Sequence, residues 1–337
     1  MPRYVIYGAG GVGCLVGAQL HLAGHDVVLI ARGAHGRAMA ENGLRFRTPL
    51  ADHSISVPVV ENPGQLRFAR DDTVVMAMKT QHSTEALEQL ANAAPSEISV
   101  VCAQNGLEGE RMALRMFEHV YGAGVFVYAA IIEPGVVHSY SQPDAGIIDL
   151  GRYPSGCDRR ADALAEDFRQ SGFHSTARAD IMAWKRGKLL VSLGSMAQAV
   201  SADFDQMQDI VEDARREARR CFDAAGLPTV SAEDILAHGQ ALLAMGLVDG
   251  KPFPGGSARQ DLSRGSPSCE IDYINGEIAL LGRELGIATP VNAFLQQVMR
   301  EMVATGGAPG SIGIAAMRER MANFLASSPT SPLPQPG

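Results

Sequence analysis

The sequence is poor in cysteine, and its cysteines lie far apart. Its 337 residues include five cysteines, with no Cys-x-x-Cys spacing among them. An odd number of scattered cysteines argues against a disulfide framework and against a structural zinc site. We therefore expect reduced thiols and no bound metal, as in a cytoplasmic protein. The five are Cys14, Cys102, Cys157, Cys221 and Cys269.

Long hydrophobic runs are also missing. No apolar stretch reaches the ~18 residues that a membrane-spanning helix requires. The first residues, Met1-Pro2-Arg3, lead directly into a short apolar segment followed by glycines. A secretory peptide needs a longer apolar stretch and a cleavage site of small residues. We expect a cytoplasmic protein with no membrane contact.

Positive charge is in deficit. Lysine and arginine number 29 against 37 aspartates and glutamates, for a net charge of −8. This balance disfavours non-specific binding of nucleic acid, although a small anionic ligand needs only a local positive site. Hydrophobic residues make up 46% of the chain, which is typical of a folded globular protein. At about 150 residues per domain, the length predicts two domains.

The first half of the chain alternates between apolar, strand-like runs and helical segments. The runs are continuously apolar, as in a parallel sheet that helices cover on both faces. They predict βαβ units and a doubly wound α/β domain at residues 1–178. The runs are Tyr4–Tyr7, Val27–Ile30, Thr73–Met78 and Ile98–Ala103, with later strands at Gly124–Tyr128 and Gly146–Leu150.

From about residue 180 the pattern becomes helical. Apolar residues recur at helical spacing, and glycines mark helix ends. We predict an all-helical domain at residues 179–326 and a disordered, Ser/Pro-rich tail at residues 327–337. The predicted helices are Ile181–Val200, Phe204–Ala225, Ala232–Met245, Cys269–Leu285 and Val291–Ala304.

A glycine-rich turn after the first strand is the strongest local signal. It fits the G-x-G-x-x-G pattern between a strand and a helix, which is typical of dinucleotide binding. The first glycine permits a tight turn, the second admits a pyrophosphate, and the last lets the helix pack on the strand. The N–H groups at the helix start would hold the phosphate. The candidate cofactor-binding residues are Gly8, Gly10, Gly11, Val12 and Gly13.

The tip of the second strand carries a base instead of an acid. NAD sites place Asp or Glu about 20 residues after the glycine turn, where it accepts from a ribose hydroxyl. Here the strand ends Ile30-Ala31-Arg32-Gly33, with no carboxylate. A guanidinium can pair with a 2′-phosphate, so Arg32 predicts NADP(H) as the cofactor. The alternative is that Arg32 is a solvated loop residue.

Two further strands are followed by polar residues. Lys79 comes directly after Thr73–Met78, and Asn105 follows Ile98–Ala103. Ligands of open α/β sheets bind at the carboxyl ends of strands, so both residues are candidates for contacting cofactor or substrate. Each has an ordinary alternative, because Asn-Gly is a common turn and a single lysine is often a surface residue.

The helix predicted at Ile181–Val200 carries a polar stripe. Lys188, Ser192 and Ser195 are spaced i, i+4 and i+7, which places them on one face. The stripe is either the solvated side of a helix or a lysine that faces a cleft beside small hydroxyls. We expect the replacement of Lys185 to cost little and Glu110 to begin a solvated helix.

Taken together, these segments resemble the ketopantoate reductase family, the 2-dehydropantoate 2-reductases of the vitamin B5 pathway. The resemblance covers residues 1 to about 300, and its most specific part is the block from Ser257 through Gly276. In the family this block reads Ser-Met-x-Gln-Asp, a Gly, then Glu-Ile-Asp and Asn-Gly. The resemblance implies an N-terminal Rossmann domain, a C-terminal all-helical domain and a substrate in the cleft between them.

The resemblance also implies roles for single residues in the NADPH-dependent reduction of 2-dehydropantoate (ketopantoate) to pantoate. Lys188 matches the catalytic lysine, a general acid on the keto oxygen. Glu270 matches the active-site glutamate, which is both a catalytic and a cofactor-binding candidate. Asn105 and Ser257 match residues that contact substrate or cofactor, and Lys79 matches the lysine on the Rossmann side of the cleft. A donor at the keto oxygen lowers the barrier because negative charge grows there.

Some positions depart from the family pattern. The family carries two asparagines on the lysine helix, where Ser192 holds the first position and the second falls on Ser195 or Met196. Ala258 replaces the Met of the Ser-Met block. Those asparagines face polar groups of the substrate, so their absence bears on the identity of the keto acid more than on the reaction. Ser192, Ser195 and Ser257 remain substrate-binding candidates.

Three functions therefore stay open. The first is NADPH-dependent reduction of a 2-keto acid, with ketopantoate as the leading substrate in pantothenate biosynthesis. The second is the same chemistry on a different branched 2-oxo acid, because of Ser192 and Ser195. The third is a non-catalytic NADP(H)-binding sensor, against which the joint presence of Lys188 and Glu270 counts. The sequence does not decide between a monomer and a homodimer.

Overall fold

The computed structural model describes residues 3–327, and the chain divides into two compact units. The first unit runs to Lys185 and also takes in the later segment Leu236–Pro254. The second unit begins at Arg186 and resumes at Gly255. The sequence had predicted a division between residues 178 and 179 and had assigned the whole of residues 236–254 to the helical domain. Of the predicted tail, only Ser327 lies within the described residues.

The described residues form thirteen strands and twelve α-helices. In chain order the strands are β1 (Tyr4–Tyr7), β2 (Val27–Ile30), β3 (Leu44–Arg47), β4 (Asp52–Ile55), β5 (Val59–Val60), β6 (Thr73–Met76), β7 (Ser99–Cys102), β8 (His119–Phe126), β9 (Ala129–Glu133), β10 (Val136–Ser139), β11 (Ser141–Pro143), β12 (Ile147–Arg152) and β13 (Leu243–Met245). The helices are α1 (Gly11–Leu22), α2 (Gly33–Asn42), α3 (Ser83–Ala91), α4 (Glu108–Leu114), α5 (Arg159–Gln170), α6 (Ile181–Val200), α7 (Gln208–Ala224), α8 (Ala232–Leu242), α9 (Ser257–Ser263), α10 (Asn275–Leu285), α11 (Pro290–Thr305) and α12 (Ile314–Ser327). Short 3-10 helices lie at Pro63–Gln65, Thr80–His82, Phe204–Met207 and Glu270–Tyr273.

A seven-stranded sheet is the centre of the first unit. Its order is β12-β8-β7-β6-β1-β2-β5. The six strands from β8 to β5 pair in parallel, and β12 pairs antiparallel with β8. Read from β5 to β8, this is the strand order of a doubly wound Rossmann sheet. The predicted α/β fold class is confirmed.

Burial on both faces explains why the central strands read as continuous apolar runs. On β1, Tyr4 and Ile6 pack into one hydrophobic core, while Val5 and Tyr7 pack into another. Successive side chains of a strand point to opposite faces, so a strand covered on both sides needs apolar residues at every position.

Two smaller sheets complete the first unit. One has the order β4-β3-β10-β9, and the other pairs β11 with β13. The helix predicted at Ala232–Met245 is wrong at its end, because α8 stops at Leu242 and the next three residues form β13. Pairing with β11, far away in the sequence, decides the conformation of those three residues.

Helices make up the second unit, as predicted. A buried glutamate of α7 fixes the start of α11, because Glu217 accepts hydrogen bonds from the backbone N–H groups of Val291 (2.9 Å) and Asn292 (3.0 Å). These donors would otherwise lack partners at a helix N-terminus. Burial raises the pKa of Glu217, and these hydrogen bonds oppose the rise.

A neutral histidine joins two parts of the first unit. His35 lies in α2, and its Nδ1 accepts a hydrogen bond from the backbone N–H of Gly135 at 3.0 Å. Its Nε2 lies 3.5 Å from Cys14 Sγ in α1. Burial lowers the pKa of His35 from its ordinary value of 6.5. A proton on Nδ1 would remove the acceptor, so the contact requires the neutral ring.

We expect stability to fall as the pH drops below about 6.5, because the unfolded chain takes up a proton that folded His35 resists. In the variant His35→Asn, whose amide oxygen can replace Nδ1, the fall in Tm between about pH 7.5 and pH 5.5 should be smaller by a few degrees. Thermal unfolding at the two pH values measures this. His82→Asn, at an exposed histidine, is the control; equal pH dependence in all three proteins would contradict the prediction.

Candidate active site

The glycine turn of the first unit combines close packing with an open space. Gly8 has a φ of +94°, and a Cβ there would lie 2.7 Å from Met78 Cα. A Cβ at Gly13 would overlap the carbonyl oxygen of Gly8. At Gly10, by contrast, the nearest atom to a Cβ would be Gly8 O at 4.0 Å. Gly8 and Gly13 thus serve the packing, whereas Gly10 leaves room for a ligand at the start of α1.

The loops after β6 and β7 adjoin this turn. Thr80 Oγ1 donates to the carbonyl of Asn105 at 3.2 Å, and Gln104 Nε2 donates to the carbonyl of Met78 at 2.9 Å. Lys79 and Asn105, both half-buried, therefore lie on joined loops beside Gly8. The structure brings these predicted site residues together at the carboxyl edge of the sheet, where open α/β sheets bind ligands.

Arg32 lies at the predicted place, but next to a carboxylate that the sequence analysis missed. It precedes α2, its side chain is 59% exposed, and its Nη1 lies 3.4 Å from Glu85 Oε1. Gln89 Nε2 donates to the same oxygen at 2.9 Å, and Tyr7 Oη donates to Gln89 Oε1 at 3.0 Å. Burial raises the pKa of Tyr7, which keeps its phenol a donor. The position of Glu85, on a different helix, has no signal in the local sequence.

A buried ion pair overturns two expectations. Lys185 Nζ donates to Glu110 Oε1 and, at 3.1 Å, to the carbonyl oxygen of Gln104. Lys185 is 4% exposed and Glu110 is fully buried. Glu110 therefore does not begin a solvated helix, and Lys185 is not a residue whose loss costs little. Breaking a buried pair on one side costs about 3–5 kcal/mol, because it leaves a buried charge alone.

A second polar cluster surrounds Asp149 of β12. Asp149, His174 and His238 bring ligand atoms within 4.8 Å of one another. The carboxylate of Asp149 already accepts from Arg178 Nε at 2.6 Å and from the backbone N–H of Thr176 at 2.9 Å. Because a guanidinium already offsets this carboxylate, we interpret the cluster as an ion-pair network that holds Leu236–Pro254 to the sheet.

In the second unit, the polar stripe of α6 has the predicted pattern. Lys188, Ser192 and Ser195 are each half-buried, and most of their neighbours on the helix are fully buried. Gly187 lets α8 and the chain before it approach closely, since a Cβ there would lie 2.5 Å from Val230 O and 2.8 Å from Ile235 Cγ1. Most of this helix is buried, so exposure to solvent does not explain why it carries a polar stripe. The stripe is therefore a candidate site.

The block from Ser257 through Gly276 contains structural residues beside candidate ones. Asp272 pairs with Arg300 of α11 at 2.8 Å, and Asn275, fully buried, donates to Asn292 at 3.0 Å. Ser257 is exposed at the start of α9, and Glu270 is 7% exposed.

The predicted continuous helix Cys269–Leu285 is wrong. The chain forms a 3-10 turn at Glu270–Tyr273 and starts α10 at Asn275. Glu270 lies in this turn, not at the start of a long helix. Contacts of this segment with α11, including the ion pair of Asp272 with Arg300, accompany the break.

Two aromatic side chains near the glycine turn were also missed. Tyr128 follows β8 at the carboxyl edge, and the next residue, Ala129, has its carbonyl oxygen 3.4 Å from where a Cβ of Gly11 would be. Tyr128 and Phe253 are half-buried and stack edge to face, with ring centroids 5.5 Å apart. Phe253 comes from the later segment Leu236–Pro254. Because the two residues are far apart in the sequence, no local pattern indicates that they are in contact.

None of the helices within residues 3–327 is both long enough and apolar enough to cross a membrane.

Two family models match the chain. The model described as "Ketopantoate reductase PanE/ApbA" matches residues 4–155, and its C-terminal counterpart matches residues 181–303.

Individual proteins show the same similarity. A 2-dehydropantoate 2-reductase of Pyrococcus horikoshii is 26% identical over 315 residues, which span 90% of this chain and 99% of that protein. The crystal structure of a PanE/ApbA family ketopantoate reductase from Ralstonia eutropha JMP134 is 25% identical, with a TM-score of 0.75 over 90% of this chain and 99% of that one. A D-mandelate dehydrogenase solved with NADH and anilino(oxo)acetate shares the fold at 21% identity, with a TM-score of 0.77 over 91% and 100% of the two chains.

Proposed function

The chain belongs to the ketopantoate reductase family, oxidoreductases that act on a CH–OH group, and on that premise we propose that it reduces a 2-keto acid with NADPH. The leading substrate is 2-dehydropantoate, which gives pantoate for pantothenate biosynthesis. The observation that carries the proposal is Lys188, half-buried on the polar stripe of a helix most of whose residues are buried.

The residues of the first unit fit a nicotinamide dinucleotide. The space at Gly10 and the N–H groups at the start of α1 suit a pyrophosphate. When bound, the nicotinamide supplies the hydride. Lys79 and Asn105, on the joined loops, are the residues of this unit proposed to contact cofactor and substrate.

Proton transfer is the task of Lys188. Hydride arrival at the carbonyl carbon leaves negative charge on its oxygen, and the ammonium of Lys188 donates a proton there. Glu270, almost fully buried, is the second catalytic candidate and also a cofactor-binding one. Ser192 and Ser195, one and two turns after the lysine, offer hydroxyls to the polar groups of the substrate, and Ser257 is a further substrate candidate.

A different 2-oxo acid is the second candidate substrate, and two observations favour it. Ser192 and Ser195 reach less far than the amides of the family. In addition, Tyr128 and Phe253 present aromatic surface beside the glycine turn. Both features suit a larger, apolar side chain on the 2-oxo acid.

The choice of substrate can be tested at position 192. We expect NADPH oxidation with 2-dehydropantoate, and we expect Ser192→Asn to raise kcat/KM for it about fivefold to tenfold, as one added hydrogen bond would. The comparison substrate is 3-methyl-2-oxobutanoate, which lacks the hydroxymethyl group and should gain nothing. If the unaltered enzyme instead prefers a phenyl-bearing 2-oxo acid to both, the second candidate replaces the first.

The preference for NADPH rests on Arg32, and Glu85 gives the matched variant. Arg32→Ala should weaken NADPH binding about tenfold to a hundredfold and leave NADH nearly unchanged, because a charge-assisted contact to the 2′-phosphate is lost. Glu85→Gln should strengthen NADPH binding up to about fivefold, since it removes a negative charge beside that phosphate. Titrations with both cofactors measure this; equal losses for NADPH and NADH in Arg32→Ala would show that Arg32 does not contact the phosphate.

The role of Lys188 is tested on the best substrate found. Lys188→Ala should lower kcat by about 10²–10⁴-fold and leave the Kd for NADPH nearly intact. The chain has four lysines, and Lys251, which is exposed, supplies the control: Lys251→Ala should keep full turnover. Near-normal kcat in Lys188→Ala would refute the assignment and favour the NADP(H) sensor.

A further inference from the structure

We propose that the buried pair of Lys185 and Glu110 is a positioning device for the reaction. It holds the Gln104–Asn105 loop at the sheet edge and the first turn of α6 in one fixed arrangement. The inference rests on the proposed function, because it needs a turnover that depends on Asn105 and Lys188.

The geometry joins these elements through a single ammonium group. Lys185 Nζ donates to Glu110 Oε1 in α4 and to the carbonyl of Gln104, the residue before Asn105. Gln104 in turn donates to the carbonyl of Met78, the residue before Lys79. The two candidate loops of the first unit are therefore linked to one side chain of α6.

The position of Lys185 on α6 connects this link to Lys188, the residue proposed to donate the proton. Lys185 ends the first segment of the first unit, and the next residue of the same helix opens the second unit. Lys188 follows three residues later on that helix. The pair therefore attaches the Gln104–Asn105 loop to the first turn of the helix on which Lys188 lies.

Stability does not account for the pair. Glu110 Oε2 has no hydrogen-bond partner among the described residues, although the side chain is fully buried. Replacing a buried ion pair by well-packed apolar side chains of similar volume is often neutral or stabilising. A glycine on β8 nevertheless leaves space for the carboxylate of Glu110, since a Cβ at Gly122 would lie 3.2 Å from Glu110 Oε1.

Stability and turnover can be separated with one single and one double variant. Lys185→Met keeps the length of the side chain but leaves the buried carboxylate of Glu110 without its ion-pair partner, so Tm should fall by about 5–15 °C. In Lys185→Met with Glu110→Leu, both charges are gone and Tm should return to within a few degrees of the unaltered protein. If the pair positions the loop and the helix, kcat of the double variant stays at least about tenfold low while the Kd for NADPH changes less than about threefold.

Arg3→Met is the matched control. Arg3 pairs with the buried Asp72 at the opposite, amino edge of the same sheet, so its loss should lower Tm and leave kcat unchanged when assayed well below the Tm. Recovery of both Tm and kcat in the double variant would overturn the inference alone, because the pair would then be merely structural. If the unaltered protein does not oxidise NADPH with any 2-oxo acid tested, the proposed function is overturned, and this inference with it.

Discussion

The carboxyl edge of the large sheet depends on two positions that have no room for a β-carbon. Gly8 turns the chain with a positive φ directly against Met78, and Gly13 lies against the carbonyl of Gly8. Any larger residue at either position would push α1 or the loop after β6 outward. The loop after β1 could then no longer adjoin the loop after β6, on which Lys79 lies.

Several buried charged side chains of this protein connect secondary-structure elements that are far apart in the sequence. Lys185 and Glu110 join α6 to α4, Asp149 and Arg178 join β12 to the chain before α6, and Glu217 fixes the start of α11. Each is a long-range contact between a charged side chain and partners distant in sequence. Such contacts specify one arrangement, whereas apolar packing tolerates several.

The family block between Ser257 and Gly276 shows how structure and chemistry share a motif. Asp272 and Asn275 are occupied with α11, so their presence in the pattern reflects the folding of the second unit. Ser257 and Glu270 are the members of the block that we propose for substrate or cofactor contact. A motif therefore narrows the search for a site, and the contacts of Asp272 and Asn275 show that some of its members serve the fold.

Local sequence was enough to predict the four central strands β1, β2, β6 and β7, the glycine turn, the base at the end of β2 and the stripe of α6. These follow from periodicity and backbone sterics, which act between near neighbours. Tertiary structure alone decided that Lys185 and Glu110 are buried together, that Glu85 lies beside Arg32, that Phe253 meets Tyr128, and that Leu243–Met245 is a strand. In each of these cases the partner lies on another element, and a charged or apolar residue carries no local sign of the neighbour that the fold will give it.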